Sequence, residues 1–196
     1  SVLNAFDLSI DKVCEKFKGN INIEDKDWNV GLIVGSSGSG KSTWSTNYIK
    51  QNPRTVRINR DDLRKTLKGT LDGYYQIQKG LLNANENLIN KLEEYMLTQA
   101  FLSNFDVIID NTNLKPSYIT RWLDFIFYLA EGEETQPEVW FKLFPEDNAH
   151  TLKQRVNLRD APPSWEALNY IDNQVKNLEF MKRYLEINHS KQLING

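Results

Sequence analysis

The stretch Gly35-Ser36-Ser37-Gly38-Ser39-Gly40-Lys41-Ser42 decides the fold of this chain. It matches the pattern of a phosphate-binding loop, in which a glycine is followed by four residues and then by Gly-Lys-Ser or Gly-Lys-Thr. The apolar run 30–34 precedes it and a helical pattern from Thr43 follows it, so the loop lies between a strand and a helix. This context favours a polyphosphate cradle over a flexible glycine-serine linker, because a linker has no reason to follow an apolar strand.

The loop residues predict how a bound nucleotide is held. Small residues let backbone N–H groups turn inward around a polyphosphate, and the helix that begins near Lys41 adds the positive end of its dipole. We expect Lys41 to contact the β and γ phosphates and Ser42 to hold Mg²⁺ through its hydroxyl. The predicted nucleotide contacts in this stretch are Gly35, Ser36, Ser37, Gly38, Ser39, Gly40, Lys41, Ser42 and Thr43. The loop alone leaves open what happens to the phosphate.

Length and composition favour one α/β domain. The chain has 196 residues and a net charge of −2, which suits a single globular domain and excludes a generally basic nucleic-acid coat. The one cysteine, Cys14, excludes an intramolecular disulfide, and no apolar run approaches the roughly 18 residues of a membrane span. We therefore expect a cytoplasmic protein with no membrane partner. Residues 30–196 should form the domain, and residues 1–29 a helix and strand extension packed on it.

Apolar runs alternate with helical patterns along the chain, which is the order typical of a parallel sheet covered by helices. The predicted strands are 30–34, 55–58, 105–110 and 139–144. Helices are predicted after the loop, from Asp61, over 75–103 as one helix or two, and over 116–130, 148–158 and 171–185. Gly69 to Gly73 is predicted to be a turn, and the buried side of the helix over 116–130 is predicted to consist of Ile119, Trp122, Leu123, Ile126, Phe127 and Leu129. We expect a parallel sheet of four or more strands with helices on both faces.

A charged block, Asn59-Arg60-Asp61-Asp62-Leu63-Arg64, follows the second predicted strand. Residues 54–68 carry six basic and two acidic side chains, a local net charge of +4 in a chain that is slightly acidic overall. Open α/β sheets bind ligands beyond the carboxyl ends of their strands, so this block should face the same crevice as the loop and offer a place for a polyanion. Asp61 and Asp62 also fit as caps of the helix that begins there, and we expect one of them to be its cap.

Two patterns further along the chain carry candidate site residues. Asp110 ends the third predicted strand, and an acid at that place beside a phosphate loop commonly assists Mg²⁺, whereas the alternative is a turn-forming residue before Asn111. Arg155 and Arg159 are four residues apart and project from one face of a helix. Because the chain returns over the nucleotide after the fourth strand, we expect an Arg-bearing lid that neutralises charge on the transferring phosphoryl group, with solvated surface as the alternative.

In this combination the residues resemble the phage-type polynucleotide 5′-hydroxyl kinases, a family of P-loop kinases. The resemblance rests on residues 38–44, Asn52-Pro53, 58–64 and 107–114, and on the pair of Arg155 and Arg159, and it spans roughly residues 30 to 185. It implies that Asp61 is the general base, that Arg64 is a ligand of a substrate phosphate and that Arg159 is the lid arginine. The acid after the third strand is shifted by one residue from the family's pattern, residues 1–29 have no counterpart in it, and no Asp-x-Asp-Gly-Thr phosphatase motif is present.

The function that the resemblance implies is transfer of the γ-phosphoryl group of ATP to the 5′-hydroxyl of a DNA or RNA end, with ATP and Mg²⁺ as cofactors. Lys41, Asp61, Arg64 and Arg159 would be the catalytic residues. Nucleic-acid or RNA repair, with a partner repair domain or ligase outside this chain, follows from the same resemblance. Two alternatives stay open: a P-loop kinase of a small molecule or mononucleotide, which the slightly acidic charge favours, and a non-catalytic ATP-binding module, which would need no base.

Overall fold

The structure of the protein is a computed structural model that describes residues 30–76, 78–132, 136–144, 148–158 and 165–195. At residues 79, 165–167 and 195 it describes the backbone alone. The predicted extension over residues 1–29 and the predicted lid arginine Arg159 lie outside the described residues.

The sheet has five strands, β1 (Val30–Val34), β2 (Thr55–Ile58), β3 (Asp106–Ile109), β4 (Val139–Leu143) and β5 (Leu193–Asn195). All neighbours are parallel, in the spatial order β2-β3-β1-β4-β5. The strand that leads into the loop is central, and Leu32 pairs with Ile109 on one side and with Phe141 on the other. Since both faces of a central parallel strand are covered, every residue of β1 is apolar or glycine and every one is buried. The predicted parallel sheet is confirmed.

The helices are α1 (Lys41–Gln51), α2 (Arg60–Lys68), α3 (Leu71–Tyr75), α4 (Lys79–Leu102), α5 (Pro116–Leu129), α6 (Ala149–Asn157) and α7 (Trp165–Asn188). Their ends follow local chemistry. Pro116 occupies the first position of α5, where its missing N–H costs no hydrogen bond, and Gly69 ends α2 with a φ of 77°. The Asn148 side chain accepts a hydrogen bond from the Thr151 N–H and so caps α6.

Helices cover both faces of the sheet, as predicted. On one face, α4, α5 and α7 pack against alternate strand residues, with Leu97, Ile126 and Met181 fully buried. On the other face, α1 packs Trp44 and Tyr48 against a smaller cluster that contains Ile33, Ile108 and Phe144. The two clusters divide the strand residues according to the two-residue period of a strand. A third cluster joins α6 to α7.

Two local predictions were wrong, and one strand was missed. The predicted turn from Gly69 to Gly73 contains most of α3, because the Thr70 hydroxyl accepts a hydrogen bond from the Gly73 N–H and caps a short helix there. Phe127, predicted to be buried, is exposed because it lies beside the buried stripe of Ile119, Trp122 and Ile126 rather than on it. The edge strand β5 was not predicted, since three residues are too few for a strand period to appear.

Candidate active site

A cleft of about 470 Å³ opens beyond the carboxyl ends of the strands, next to the phosphate-binding loop. We call one part of its lining the loop side, which consists of Ser37, Lys41, Ser42, Asp110, Asn111, Thr112 and Asn113. The other part is the helix side, which consists of Asn59, Arg60, Asp61, Arg64, Glu86, Asn90, Tyr118, Arg121 and Trp122. The fold thus brings six predicted site residues into one cleft: Ser37, Lys41, Ser42, Asp61, Arg64 and Asp110.

Backbone conformation shapes the loop. Gly38 and Gly40 have φ values of 86° and 89°, a region that residues with a side chain rarely adopt. A Cβ atom at Gly38 would lie 3.0 Å from the carbonyl oxygen of Leu152, so the glycine also permits close packing of α6 on the loop. Gly40 precedes α1 and has no side chain that could cap this helix. Its position therefore leaves the first N–H groups of α1 available to an anion. Inside the loop, the Lys41 ammonium donates to the carbonyl oxygen of Ser36 at 2.6 Å.

A side chain from α7 contacts the loop. The Ser37 N–H donates a hydrogen bond of 2.7 Å to Oε1 of Gln174. An amide oxygen thereby accepts from one of the backbone donors that a phosphate-binding loop presents to a phosphate. Gln174 was not a predicted site residue, because a single Gln in a helical pattern carries no functional signal.

Asp110 follows β3 and is held from one side. Its Oδ2 accepts hydrogen bonds from the Ser45 hydroxyl and from Nε of Arg57, both at 2.8 Å, and it forms an ion pair of 2.6 Å with Nη2 of the same arginine. The Arg57 guanidinium also pairs with Asp62. Burial opposes the charge of Arg57, but Asp110 and Asp62 outweigh burial and raise its pKa. The pairing therefore fixes both carboxylates to one strand residue.

The other carboxylate oxygen of Asp110 fits a role with Mg²⁺. The side chain is fully buried, and its Oδ1 has no hydrogen-bond partner among the residues that the structure describes. A buried polar atom without a partner is rare and needs an explanation, and this one belongs to a residue that lines the same cleft as Ser42. Among the described residues, no three His, Cys, Asp or Glu side chains cluster as metal ligands, but Mg²⁺ with a nucleotide needs only one or two protein ligands beside the phosphates. Ser42 and Asp110 thus fit as the residues that would hold the ion.

The structure separates the two acids of the charged block. Asp61 lines the cleft with a half-exposed side chain, and its Oδ1 accepts a hydrogen bond of 2.8 Å from Nη1 of Arg64. Asp62 does not line the cleft and pairs with Arg57 and Lys65 instead. The expectation that one of the two caps α2 was wrong, because the Asn59 side chain accepts the hydrogen bond from the Asp62 N–H. An asparagine in extended conformation directly before the helix has the better position for this bond.

Glu86 of α4 organises the helix side. Its carboxylate accepts hydrogen bonds from Arg60, from two nitrogens of Arg64 and from the Tyr74 hydroxyl, at 2.8 to 3.0 Å. Burial disfavours the charged form, but the hydrogen bonds from Arg64, Arg60 and Tyr74 outweigh burial and lower the pKa of Glu86 to about 2. Burial and Glu86 raise the pKa of the Tyr74 hydroxyl to about 12. Glu86 is therefore ionised and Tyr74 neutral at neutral pH.

This network changes the interpretation of the +4 segment. Arg60 pairs with Glu93 as well as Glu86, and Arg64 pairs with Glu86 at 3.0 Å. The carboxylates of α4 thus neutralise arginines that the local charge count leaves uncompensated. The segment presents less positive charge to a polyanion than its sequence suggests.

The predicted lid arginines are described only in part. Arg155 lies on α6, the helix whose Leu152 and Val156 approach Gly38 of the loop, and it is not among the described residues that line the cleft. Arg159 lies outside the described residues. Their roles remain predictions.

Sequence reasoning missed Arg57, Asn59, Glu86 and Gln174. A usable signal existed for the first two. Arg57 is a charged residue inside a short buried strand, where a charge needs a partner, and Asn59 stands where a helix cap is expected. Glu86 lies on a helix rich in Asn and Glu, so no local pattern distinguishes it from solvated surface.

Comparison with known proteins gives the family. A family model described as AAA domain matches residues 30–164. The chain belongs to this AAA domain family. The matched region of the AAA domain begins with β1 and contains every described residue of the cleft. The kinase-type P-loop fold and the nucleotide-binding loop predicted from sequence agree with this membership.

Two of the solved structures that are similar to this chain have the same fold. A chain of the Pnkp1/Rnl/Hen1 RNA repair complex superimposes on this AAA domain with a TM-score of 0.63 and 21% identity, over 83% of this chain and 48% of that one. A chain from a second structure of the Pnkp1/Rnl/Hen1 complex gives a TM-score of 0.52 and 24% identity, over 70% and 42%. A gluconokinase from Sinorhizobium meliloti 1021 gives 0.47 and 16%, over 87% and 82%. This chain spans about half the length of the first two chains that it matches.

Within the part of this AAA domain that the structure describes, none of the helices combines the length and the apolar character that a membrane span requires.

Proposed function

We propose that this chain transfers the γ-phosphoryl group of ATP to the 5′-hydroxyl of a nucleic-acid end. The observation that carries the proposal is the position of Asp61, whose carboxylate lines the same cleft as the ammonium of Lys41. A module that only binds a nucleotide has no need of such a carboxylate on the helix side of the cleft. A carboxylate at that place suits a base that deprotonates an acceptor hydroxyl.

In the proposed reaction, the acceptor hydroxyl oxygen attacks the γ phosphorus of ATP. The bond between this phosphorus and the oxygen that bridges the β and γ phosphorus atoms breaks at the same time. Asp61 accepts the hydroxyl proton, and ADP leaves. Lys41 and the N–H groups of the loop stabilise the charge on the phosphates, since positioning and charge neutralisation supply most of the rate in phosphoryl transfer. Mg²⁺ held by Ser42 and Asp110 would neutralise further phosphate charge when bound.

Arg64 is proposed to bind a phosphate of the acceptor. Its guanidinium lies between Asp61 and Glu86 in the cleft, with pairing distances of 2.8 and 3.0 Å. Both partners stabilise its positive charge and raise its pKa despite burial. Arg155 and Arg159 are proposed to approach the nucleotide from the lid side. The fold shared with a chain of the Pnkp1/Rnl/Hen1 RNA repair complex supports a nucleic-acid acceptor and a repair domain or ligase as partner.

A kinase of a small molecule or mononucleotide is the second candidate. One observation favours it: the arginines on the helix side are each paired with carboxylates, so the cleft offers little excess charge to a long polyanion. This candidate and the first share every residue of the transfer step. They differ in the acceptor alone.

The experiment is incubation with γ-labelled ATP and a panel of acceptors. The panel contains oligonucleotides with a 5′-hydroxyl, the same oligonucleotides with a 5′-phosphate, nucleosides, nucleoside 3′-phosphates and sugars. We expect label on the 5′-hydroxyl oligonucleotides and none on their 5′-phosphorylated counterparts, with Lys41→Ala as the inactive control. Label on nucleosides or sugars without label on oligonucleotides would favour the second candidate. Hydrolysis of ATP with no labelled acceptor would contradict both.

A further inference from the structure

An aromatic side chain stands on the helix side without a role in the transfer step. Tyr118 lies in the first turn of α5, lines the cleft and is 46% exposed. We propose that Tyr118 and Lys115 form a recognition site for the nucleotide at the acceptor end, in which the ring stacks on a base and the ammonium meets a backbone phosphate. This inference rests on the proposed function and specifies its substrate class as an acceptor that carries a base.

The other aromatic residues near the cleft are buried or lie outside its lining. Trp122 lines the cleft but is 3% exposed, and the guanidinium of Arg121 lies 5.2 Å from its ring centroid. Tyr74 is fully buried, and its hydroxyl donates to Glu86. Tyr75 is exposed but is not among the lining residues, and Arg64 lies 5.6 Å from its ring centroid. Among the described residues that line the cleft, Tyr118 is thus the aromatic side chain with an accessible ring.

Lys115 supplies charge beside Tyr118, next to the residues that line the cleft. Its ammonium lies 5.7 Å from the centroid of the Tyr118 ring, and its side chain is exposed. The arginines of the helix side pair with carboxylates of α2 and α4, whereas Lys115 forms no ion pair with any residue that the structure describes. Its charge is therefore available to a phosphate. A cation beside an accessible aromatic face is the combination that proteins use for single-stranded nucleic acid.

The location fits an acceptor and not the nucleotide donor. Tyr118 projects from the same face of α5 as Arg121 and Trp122, at the spacing of one helical turn, and this face belongs to the helix side together with Asp61. When the terminal hydroxyl of an acceptor reaches Asp61, the base and the next phosphate of that acceptor lie nearby and can bind on the helix side. A sugar or polyol acceptor has no aromatic base that could stack on the ring of Tyr118.

The test compares two oligonucleotide acceptors that differ in the 5′-terminal nucleotide, which carries a base in one and is abasic in the other. For the complete acceptor, Tyr118→Ala should raise KM about 5- to 150-fold, the range of one base–aromatic stack, with kcat nearly unchanged. For the abasic acceptor, wild type and Tyr118→Ala should have the same KM. Tyr118→Phe should keep the wild-type preference because it keeps the ring. Tyr118→Leu, which retains apolar volume for folding, should behave like the alanine variant.

Lys115→Ala gives an independent readout. We expect the dissociation constant of a fluorescent oligonucleotide, measured by anisotropy without ATP, to rise and its salt dependence to weaken by about one charge. Matched controls are Tyr128→Ala, an exposed tyrosine of α5 outside the cleft lining, and Lys50→Ala, an exposed lysine at the end of α1. Both controls should match wild type in KM and in binding.

The outcomes separate the two proposals. If wild type labels oligonucleotides and Tyr118→Ala prefers the complete acceptor as strongly as wild type does, the recognition site is overturned and the proposed function stands. If wild type labels no oligonucleotide, the proposed function fails. If it also binds none, the recognition site fails with it. A loss of kcat equal to the rise in KM would move Tyr118 into the transfer step and overturn its role in recognition.

Discussion

On the loop side of the cleft, the binding groups are largely backbone groups and small residues, whereas on the helix side they are charged side chains that hold one another. The loop derives its shape from left-handed glycines and from hydrogen bonds such as that between the Gly35 N–H and the Thr112 carbonyl oxygen. The helix side derives its shape from ion pairs around Glu86. A backbone cradle keeps its shape when one side chain is changed. An ion-pair network loses its shape when its central acid is lost, because several cations lose a partner together.

The largest expected effect tests the loop side. Lys41→Ala removes the ammonium that contacts the β and γ phosphates in the proposed mechanism. We expect kcat to fall on the order of a thousandfold, the upper range for loss of one preorganised charge donor, with the melting temperature nearly unchanged because the loop is held by its backbone. Turnover with labelled ATP and a thermal melt measure both, and Lys50→Ala is the control. Near-normal turnover would remove the loop from the mechanism.

The second effect compares neighbouring acids on the helix side. Asp61→Asn keeps the shape of the side chain and removes its ability to take a proton, so kcat should fall at least about a hundredfold with little change in ATP affinity. Asp62→Asn is the matched control, because Asp62 lies outside the cleft and pairs with Arg57 and Lys65. If Asp62→Asn is the inactive variant, the base assignment moves by one residue. If both variants turn over normally, neither acid is the base.

The third effect concerns the centre of the network. Glu86→Gln removes the charge that Arg60, Arg64 and Tyr74 share, and at pH 7 it should lower the free energy of unfolding by about 1.5 to 3 kcal/mol, as for loss of hydrogen bonds to a charged group. KM for the acceptor should rise as well, since Arg64 loses its anchor. Urea unfolding and acceptor titration measure the two effects. Unchanged stability would show that the two arginines hold their positions without Glu86.

The pH dependence of the same pair of proteins sharpens this result. The pKa of Glu86 is lowered from 4.5 to about 2 in the folded protein. A group with a lowered folded pKa stabilises the fold above its unfolded pKa and loses this contribution as pH falls through the folded value. The stability difference between wild type and Glu86→Gln should therefore be constant above about pH 5 and should shrink as pH falls from 4.5 towards 2. A difference that stays constant down to pH 2 would contradict the ion-pair explanation.

The smallest expected effect tests whether the side chain of Gln174 competes with ATP for a backbone donor of the loop. Gln174→Ala frees the Ser37 N–H from the amide oxygen that accepts from it, so ATP should bind about two- to tenfold more tightly, the equivalent of one net hydrogen bond. Asn173→Ala, at an exposed position of the same helix, is the control. Calorimetric titration with ATP gives both dissociation constants. Weaker binding in Gln174→Ala would mean that Gln174 contacts the nucleotide rather than competing with it.

The sequence predicted the loop side well because its pattern is local. Eight consecutive residues carry the glycines, the lysine and the serine, and an apolar strand and a helix flank them. The helix side depends on pairs that are distant in sequence, 22 residues apart for Arg64 and Glu86 and 33 for Arg60 and Glu93. A charge count over the segment 54–68 cannot include partners on another helix. The predicted polyanion patch was therefore overestimated, although Asp61 and Arg64 themselves lie in the cleft as expected.

The cap of α2 illustrates a different limit. Both acids of the block were plausible caps, but Asn59, directly before the helix, has the extended conformation that a cap requires. A two-residue shift of a helix start is within the normal uncertainty of sequence patterns. Because Asn59 is the cap, the side chain of Asp61 is not used as one and instead pairs with Arg64 in the cleft, which the sequence alone did not show.

Asn59 has a consequence for how the cleft responds to substitution. Its side chain accepts from the Asp62 N–H at the start of α2 and donates to the carbonyl oxygen of Asp110 at the end of β3. One amide group thus works as a spacer of fixed length between the helix that carries Asp61 and the strand end that carries Asp110. An aspartate at this position would keep the hydrogen bond that caps α2 and lose the one to the Asp110 carbonyl oxygen. The variant would retain Asp61 and Asp110, but the distance between them would no longer be fixed by this side chain.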